Sequence, residues 1–123
     1  MDKKIIVAPS TDPCPVGELI DYSRDCLREG ADWIHCDVMD GRFVERKTID
    51  EIVVSLLAKR VNGIMDVHLM VENPLDKLNV YAKAGASHIT VHYEALNGTI
   101  AIINAIRQIQ NLGCKAGLSI NCL

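Results

Sequence analysis

Trp33-Ile34-His35-Cys36-Asp37-Val38-Met39-Asp40-Gly41 ends an apolar run with a histidine and a carboxylate two residues apart. Side chains at i and i+2 of a β-strand share a face, so His35 and Asp37 point one way and Cys36 the other. Met65-Asp66-Val67-His68-Leu69-Met70 repeats the pattern around His68. If the two runs are neighbouring strands, His68 joins His35 and Asp37 on one face. Buried charge without a partner is costly, so three such groups together call for a ligand. Imidazole plus carboxylate suits a divalent metal (Zn, Fe(II), Mn or Co), and the side chains alone do not choose among them.

The surrounding chain reads as alternating strands and helices. Ile5–Pro9 is a first strand. A helix over Glu18–Glu29 carries Leu19, Ile20, Tyr22, Cys26 and Leu27 at helical spacing, and Gly30 ends it. Trp33–Asp37 is the second strand, and the polar loop Met39–Lys47 follows it. Thr48 suits the cap of a helix over Ile49–Lys59, with Glu51 as its capping-box partner. Ile64–Leu69 is the third strand, and a helix starts at Asn73-Pro74 and stops at Gly85. His88–His92 is the fourth strand. A helix over Thr99–Leu112 shows the stripe Ile102, Ile103, Ile106, Ile109 and Leu112, ended by Gly113. Lys115–Ile120 is the fifth strand.

The order βαβαβαβαβ implies a parallel sheet, with strands apolar enough to be covered on both faces. The joints 28–32 and 83–87 share a Gly-Ala pair, a weak sign of a βα repeat. Residues 1–123 form one domain without a linker. A five-stranded doubly wound sheet fits this length, whereas a complete (β/α)8 barrel needs about 250 residues. In both, function gathers at the carboxyl ends of the strands, where His35, Asp37, His68 and His92 fall. Ser10 follows the first strand and Asn121 the fifth.

Composition excludes several classes. The net charge is −3 and aromatics are 4%, with no basic cluster to engage nucleic acid. The apolar runs are too short to cross a membrane, and Met1-Asp2-Lys3-Lys4 leads into a strand rather than a signal peptide. Cys14, Cys26, Cys36, Cys114 and Cys122 are odd in number and form no C-x-x-C pair, which points to reduced thiols and a cytoplasmic protein.

Other polar residues have plainer readings. Asp40 before Gly41 suits a turn. His88 and His92 read as satisfied core or rim residues. Asp66 shares the parity of His68 and is placed to orient a ligand histidine. Met39 and Met70 are either core filler or an apolar lid over a flat intermediate.

The runs Ala31–Val44, Asp66–Pro74, Ala82–Ala86 and Ile89–His92, with Ala8-Pro9-Ser10, resemble the signature of the ribulose-phosphate 3-epimerase family along the whole chain. The resemblance implies a parallel (β/α)8 TIM-type barrel, of which this chain corresponds to about the first half plus one strand. It implies inversion of C3 between D-ribulose 5-phosphate and D-xylulose 5-phosphate through an enediolate, in the pentose phosphate pathway. His35, Asp37 and His68 match three metal ligands, and Asp37 one of two acid/base carboxylates. Ser10, His68, Met39 and Met70 match substrate-contacting positions. Loss of a proton α to a carbonyl needs charge stabilisation, and inversion needs an acid/base on each face of the intermediate.

The family's second catalytic aspartate, which is also its fourth metal ligand, and its phosphate grip belong to the later half of the barrel. Cys122 stands where the family usually has Pro. Thr11–Pro15 and Glu45-Arg46-Lys47 also depart from its pattern. The expected partners are a small sugar phosphate and either a second copy or another chain, covering an apolar inner face that a half-barrel leaves open. The chain alone is expected to fall short of full epimerase activity. The competing readings are an allulose-6-phosphate 3-epimerase-like enzyme, an inactive half-barrel serving as a binding or assembly module, and a phospho-receiver domain. The last lacks the clustered acids after the first strand that it requires.

Overall fold

The computed structural model describes residues 4–121. Four parallel strands, β1 (Trp33–Met39), β2 (Ile64–Met70), β3 (Ala86–His92) and β4 (Lys115–Ser119), lie side by side in chain order. Before each runs a helix: α1 (Leu19–Arg28), α2 (Glu51–Arg60), α3 (Leu78–Ala84) and α4 (Thr99–Asn111). Strands paired in sequential order across helices make the first half of a (β/α)8 barrel rather than a doubly wound sheet, whose strand order reverses. Cys122 lies outside the described residues.

The expected first strand is only partly formed. Residues 5–10 run beside β1: Trp33 N donates to Val7 O (3.2 Å), His35 N to Pro9 O (2.9 Å) and Thr11 N to His35 O (2.9 Å). The remaining rung would need an N–H from Pro9, which has none, so the pairing reduces to one bridge at Ser10 and His35.

The helix side of the sheet carries the core. Ile34, Cys36 and Val38 of β1, Met65, Val67 and Leu69 of β2, and Ile89 and Val91 of β3 are buried against Leu19, Val54, Leu57, Leu78, Ala105 and Ile109 of the helices. Each such aliphatic side chain contributes about 1.5–3 kcal/mol by leaving water. Gly85 closes α3 at φ 115°, and a Cβ there would lie 2.5 Å from Ala58 Cβ, so α2 and α3 approach over a bare backbone.

Three expectations change. The strands are not covered on both faces: among the described residues the face opposite the helices is open, as expected of a half-barrel, and Trp33, His35, Asp37 and Met39, with Asp66, His68 and Met70, are only partly buried. It is also not an apolar face, because its centre is histidine and carboxylate. The inward face of α4 is set by Ala105 and Ile109, four residues apart, and Ile103, two positions from Ala105 and so on the opposite side of the helix, is 41% exposed. Finally, α2 is capped by Asp50, whose side chain accepts from Ile52 N and Val53 N, and not by Thr48.

Candidate metal and active site

The parallel register aligns Asp37 with His68, His35 with Asp66, and Met39 with Met70. Strand parity then places all six side chains on the uncovered face. Oδ1 of Asp37 lies 3.0 Å from His35 Nε2 and 3.2 Å from His68 Nδ1. The Ser10 hydroxyl donates to Asp37 Oδ2. On the far side of His35, Nδ1 meets Asp66 Oδ2 at 2.9 Å. Behind His68, Nε2 lies 2.7 Å from His92 Nε2.

Charge follows this geometry. The carboxylates of Asp37 and Asp66 hold the His35 imidazolium so that its pKa is pushed up to about 10. Burial by itself would raise the Asp37 carboxyl, but hydrogen bonds from His35, His68 and Ser10 outweigh it and hold the group well below its usual range. Burial, then the neighbouring His68, lowers His92.

The donor set fits a divalent metal: His35, Asp37 and His68 each offer one ligand atom, and these lie within 4.8 Å of one another. Asp40 does not compete. Its Oδ1 accepts from Arg42 N and Phe43 N, and its Oδ2 from Glu72 N, all at 2.8 Å, so it ties the loop after β1 to the loop after β2.

Several supporting residues escaped the sequence reading. Thr11 Oγ1 accepts from Asp37 N (3.3 Å), and Thr48 Oγ1 donates to Asp37 O (2.6 Å) and accepts from Met39 N (2.9 Å). Two threonine side chains thus take over Asp37's backbone bonds at the top of β1. Tyr22 Oη donates to Ser10 O (2.9 Å), so α1 anchors the serine. His92, read as a core or rim residue, is 8% exposed and stacks with His68 at 4.9 Å between centroids. Its signal was parity, since His88, Thr90 and His92 share one face of β3. A groove of about 510 Å³ between α2 and α3 shares no residue with this cluster.

A sequential parallel strand-and-helix sheet with a His-Asp-His cluster at its strand ends defines the class of (β/α)-barrel proteins with a metal-suited site on the inner strand face. A crystal structure of dihydropteroate synthetase with product shares that fold, with a TM-score of 0.60 at 17% identity over 92% of this chain and 43% of that one. Residues 6–123 match the ribulose-phosphate 3-epimerase family, and the chain belongs to it. It is 40% identical to a ribulose-phosphate 3-epimerase of Synechocystis over 98% of this chain and 52% of the relative. It is also 40% identical to the chloroplastic ribulose-5-phosphate-3-epimerase of Arabidopsis thaliana, over 95% of this chain and 41% of that protein. The cytoplasmic rice isoform is 38% identical over 93% of this chain and 49% of its own length. The chain therefore spans about half the length of the curated relatives it matches.

Proposed function

We propose that this chain carries half of the active site of a metal-dependent ketose-phosphate 3-epimerase, acting between D-ribulose 5-phosphate and D-xylulose 5-phosphate in carbohydrate metabolism. The observation that carries the proposal is the convergence of His35, Asp37 and His68 around one carboxylate oxygen. Those three residues would hold a divalent cation (Zn, Fe(II), Mn or Co). Bound there, the cation would stabilise negative charge on the substrate oxygens as the C3 proton leaves.

The two oxygens of Asp37 take separate duties. Oδ1 faces both histidines, while Oδ2 meets only the Ser10 hydroxyl and is the atom to take the C3 proton. Ser10 fixes the angle of that oxygen, and Tyr22 fixes Ser10. Met39 and Met70, paired at the strand ends, form an apolar lid that keeps water from a flat enediolate. Inversion requires a second acid/base on the other face. Asp66 is engaged by His35 and Asp40 by backbone amides, and the family resemblance assigns the second group to the later half of the barrel. Partly buried Cys14 and Cys26 and buried Cys36 and Cys114, all unpaired, suit a reducing cytoplasm. No helix among the described residues is long and apolar enough to cross a membrane.

Metal analysis of the purified chain tests the site. The wild-type protein is expected to retain a stoichiometric divalent metal, and His68→Ala to lose it. Retention of metal by His68→Ala would refute the assignment. The 123-residue chain by itself is expected to turn over ribulose 5-phosphate weakly or not at all, and robust turnover would refute the half-site reading. An allulose 6-phosphate assay beside it distinguishes the sibling activity.

A further inference from the structure

The two ligand histidines are each gripped at both ring nitrogens. His35 directs Nε2 at Asp37 and is held from behind at Nδ1 by Asp66. His68 directs Nδ1 at Asp37 and is held from behind at Nε2 by His92, at 2.7 Å. Two imidazole nitrogens at that distance share one proton, since two protons would collide and two lone pairs would repel. His92 is in turn confined. Phe43 packs on its ring at 5.1 Å, its Nδ1 is buried without a hydrogen-bond partner, and Glu94 Oε2 waits 3.5 Å from that nitrogen. The backbone N–H of Asn121 holds the other oxygen of Glu94.

We propose that His92, backed by Glu94, is a positioning residue that sets which nitrogen of His68 is free to ligate a metal. The inference rests on the reading of His35, Asp37 and His68 as a metal site. A ligating nitrogen carries no proton, so when Nδ1 of His68 ligates, its proton must sit on Nε2. Nε2 then donates to His92 Nε2, which places the proton of His92 on Nδ1, facing Glu94. Without metal, the Asp37 carboxylate needs a donor at His68 Nδ1, and both rings take the opposite tautomer. On loading, the Nδ1 proton of His68 leaves to solvent, the Nε2 proton of His92 passes to His68, and His92 Nδ1 takes one proton from solvent. The count of protons on the pair is unchanged.

The test titrates the full chain with Co²⁺ alone, followed by its visible spectrum. His92→Leu is expected to weaken binding roughly 10- to 100-fold, while His92→Gln, which keeps an acceptor near the Nε2 position, is expected to recover most of that loss. Wild-type affinity in a folded His92→Leu would overturn the inference while leaving the metal site standing. Absence of Co²⁺ binding by the wild type, or binding that survives His68→Ala, would overturn both. Should His92→Leu not fold, nitrogen NMR of the Zn²⁺-loaded wild type decides. It is expected to show His68 protonated at Nε2 and His92 at Nδ1, and the reverse tautomer of either ring overturns the inference.

Discussion

At Asp37, Oδ1 faces the rings of His35 and His68 while Oδ2 takes the Ser10 hydroxyl, and this division governs how the metal-free site responds to pH. His35 is raised from its ordinary value of 6.5 to about 10. Its ion pairs therefore stabilise the fold fully below 6.5, and the contribution is lost as pH rises through about 10. Asp37 is lowered from 3.8, so its contribution is present above that value and is lost as pH falls through the folded value. Both contributions are complete between 3.8 and 6.5, and the denaturation midpoint of the metal-free protein is expected to be highest there and to fall on either side. A midpoint that climbs steadily from neutral pH to pH 10 would contradict the pairing. The same proton on His35 must leave before a metal binds, so metal affinity is expected to rise with pH and binding to release protons. Calorimetry in buffers of different ionisation enthalpy reads that release directly. His35 and Asp37 were legible at this scale because period-2 parity puts them on one face, and His68 because the matching run around it reads as a neighbouring strand. His92 was not, because its role depends on a 2.7 Å approach between two strands that parity does not supply.

The elements owe their ends to side chains that local pattern only partly identifies. Thr48 and Asp50 both suit a helix cap, and the structure gives α2 to Asp50 and gives Thr48 to the backbone of Asp37 and Met39. Asp50→Ala is expected to cost about 0.5–2 kcal/mol of stability without affecting metal binding. Thr48→Val is expected to leave α2 intact but weaken metal binding, because it removes the two side-chain hydrogen bonds from Thr48 to the top of β1. Denaturant melts and Co²⁺ titrations of the two variants separate these roles. An equal loss of metal affinity in both would show that Thr48 has no special hold on the site. The glycines after α1, α3 and α4 were legible as helix stops, and Gly30, Gly85 and Gly113 all take positive φ. The first strand was legible in position but not in strength, because the cost of Pro9 appears only once its neighbour in the sheet is known.

Among the described residues, the sheet buries its helix side and leaves the site face open, with one edge only partly paired by residues 7–11 and the other uncovered. Ile5 is 83% exposed on one edge and Ile120 66% on the other. Unpaired edges with apolar side chains invite another chain. The protein is expected to self-associate or to bind a hydrophobic dye, and a monodisperse monomer by size exclusion with no dye binding would refute this. The sequence by itself determined the alternation of strands and helices, the parallel sheet and the three residues around the candidate metal position. These follow from periodicity and residue chemistry, which act over a few positions along the chain. The family resemblance already implied a half-barrel with an open inner face. Only the tertiary structure decided that this face is polar at its centre and that His92, Thr11, Thr48 and Tyr22 brace the site. Those contacts join residues 9 to 26 positions apart, and no local pattern encodes a distance across strands.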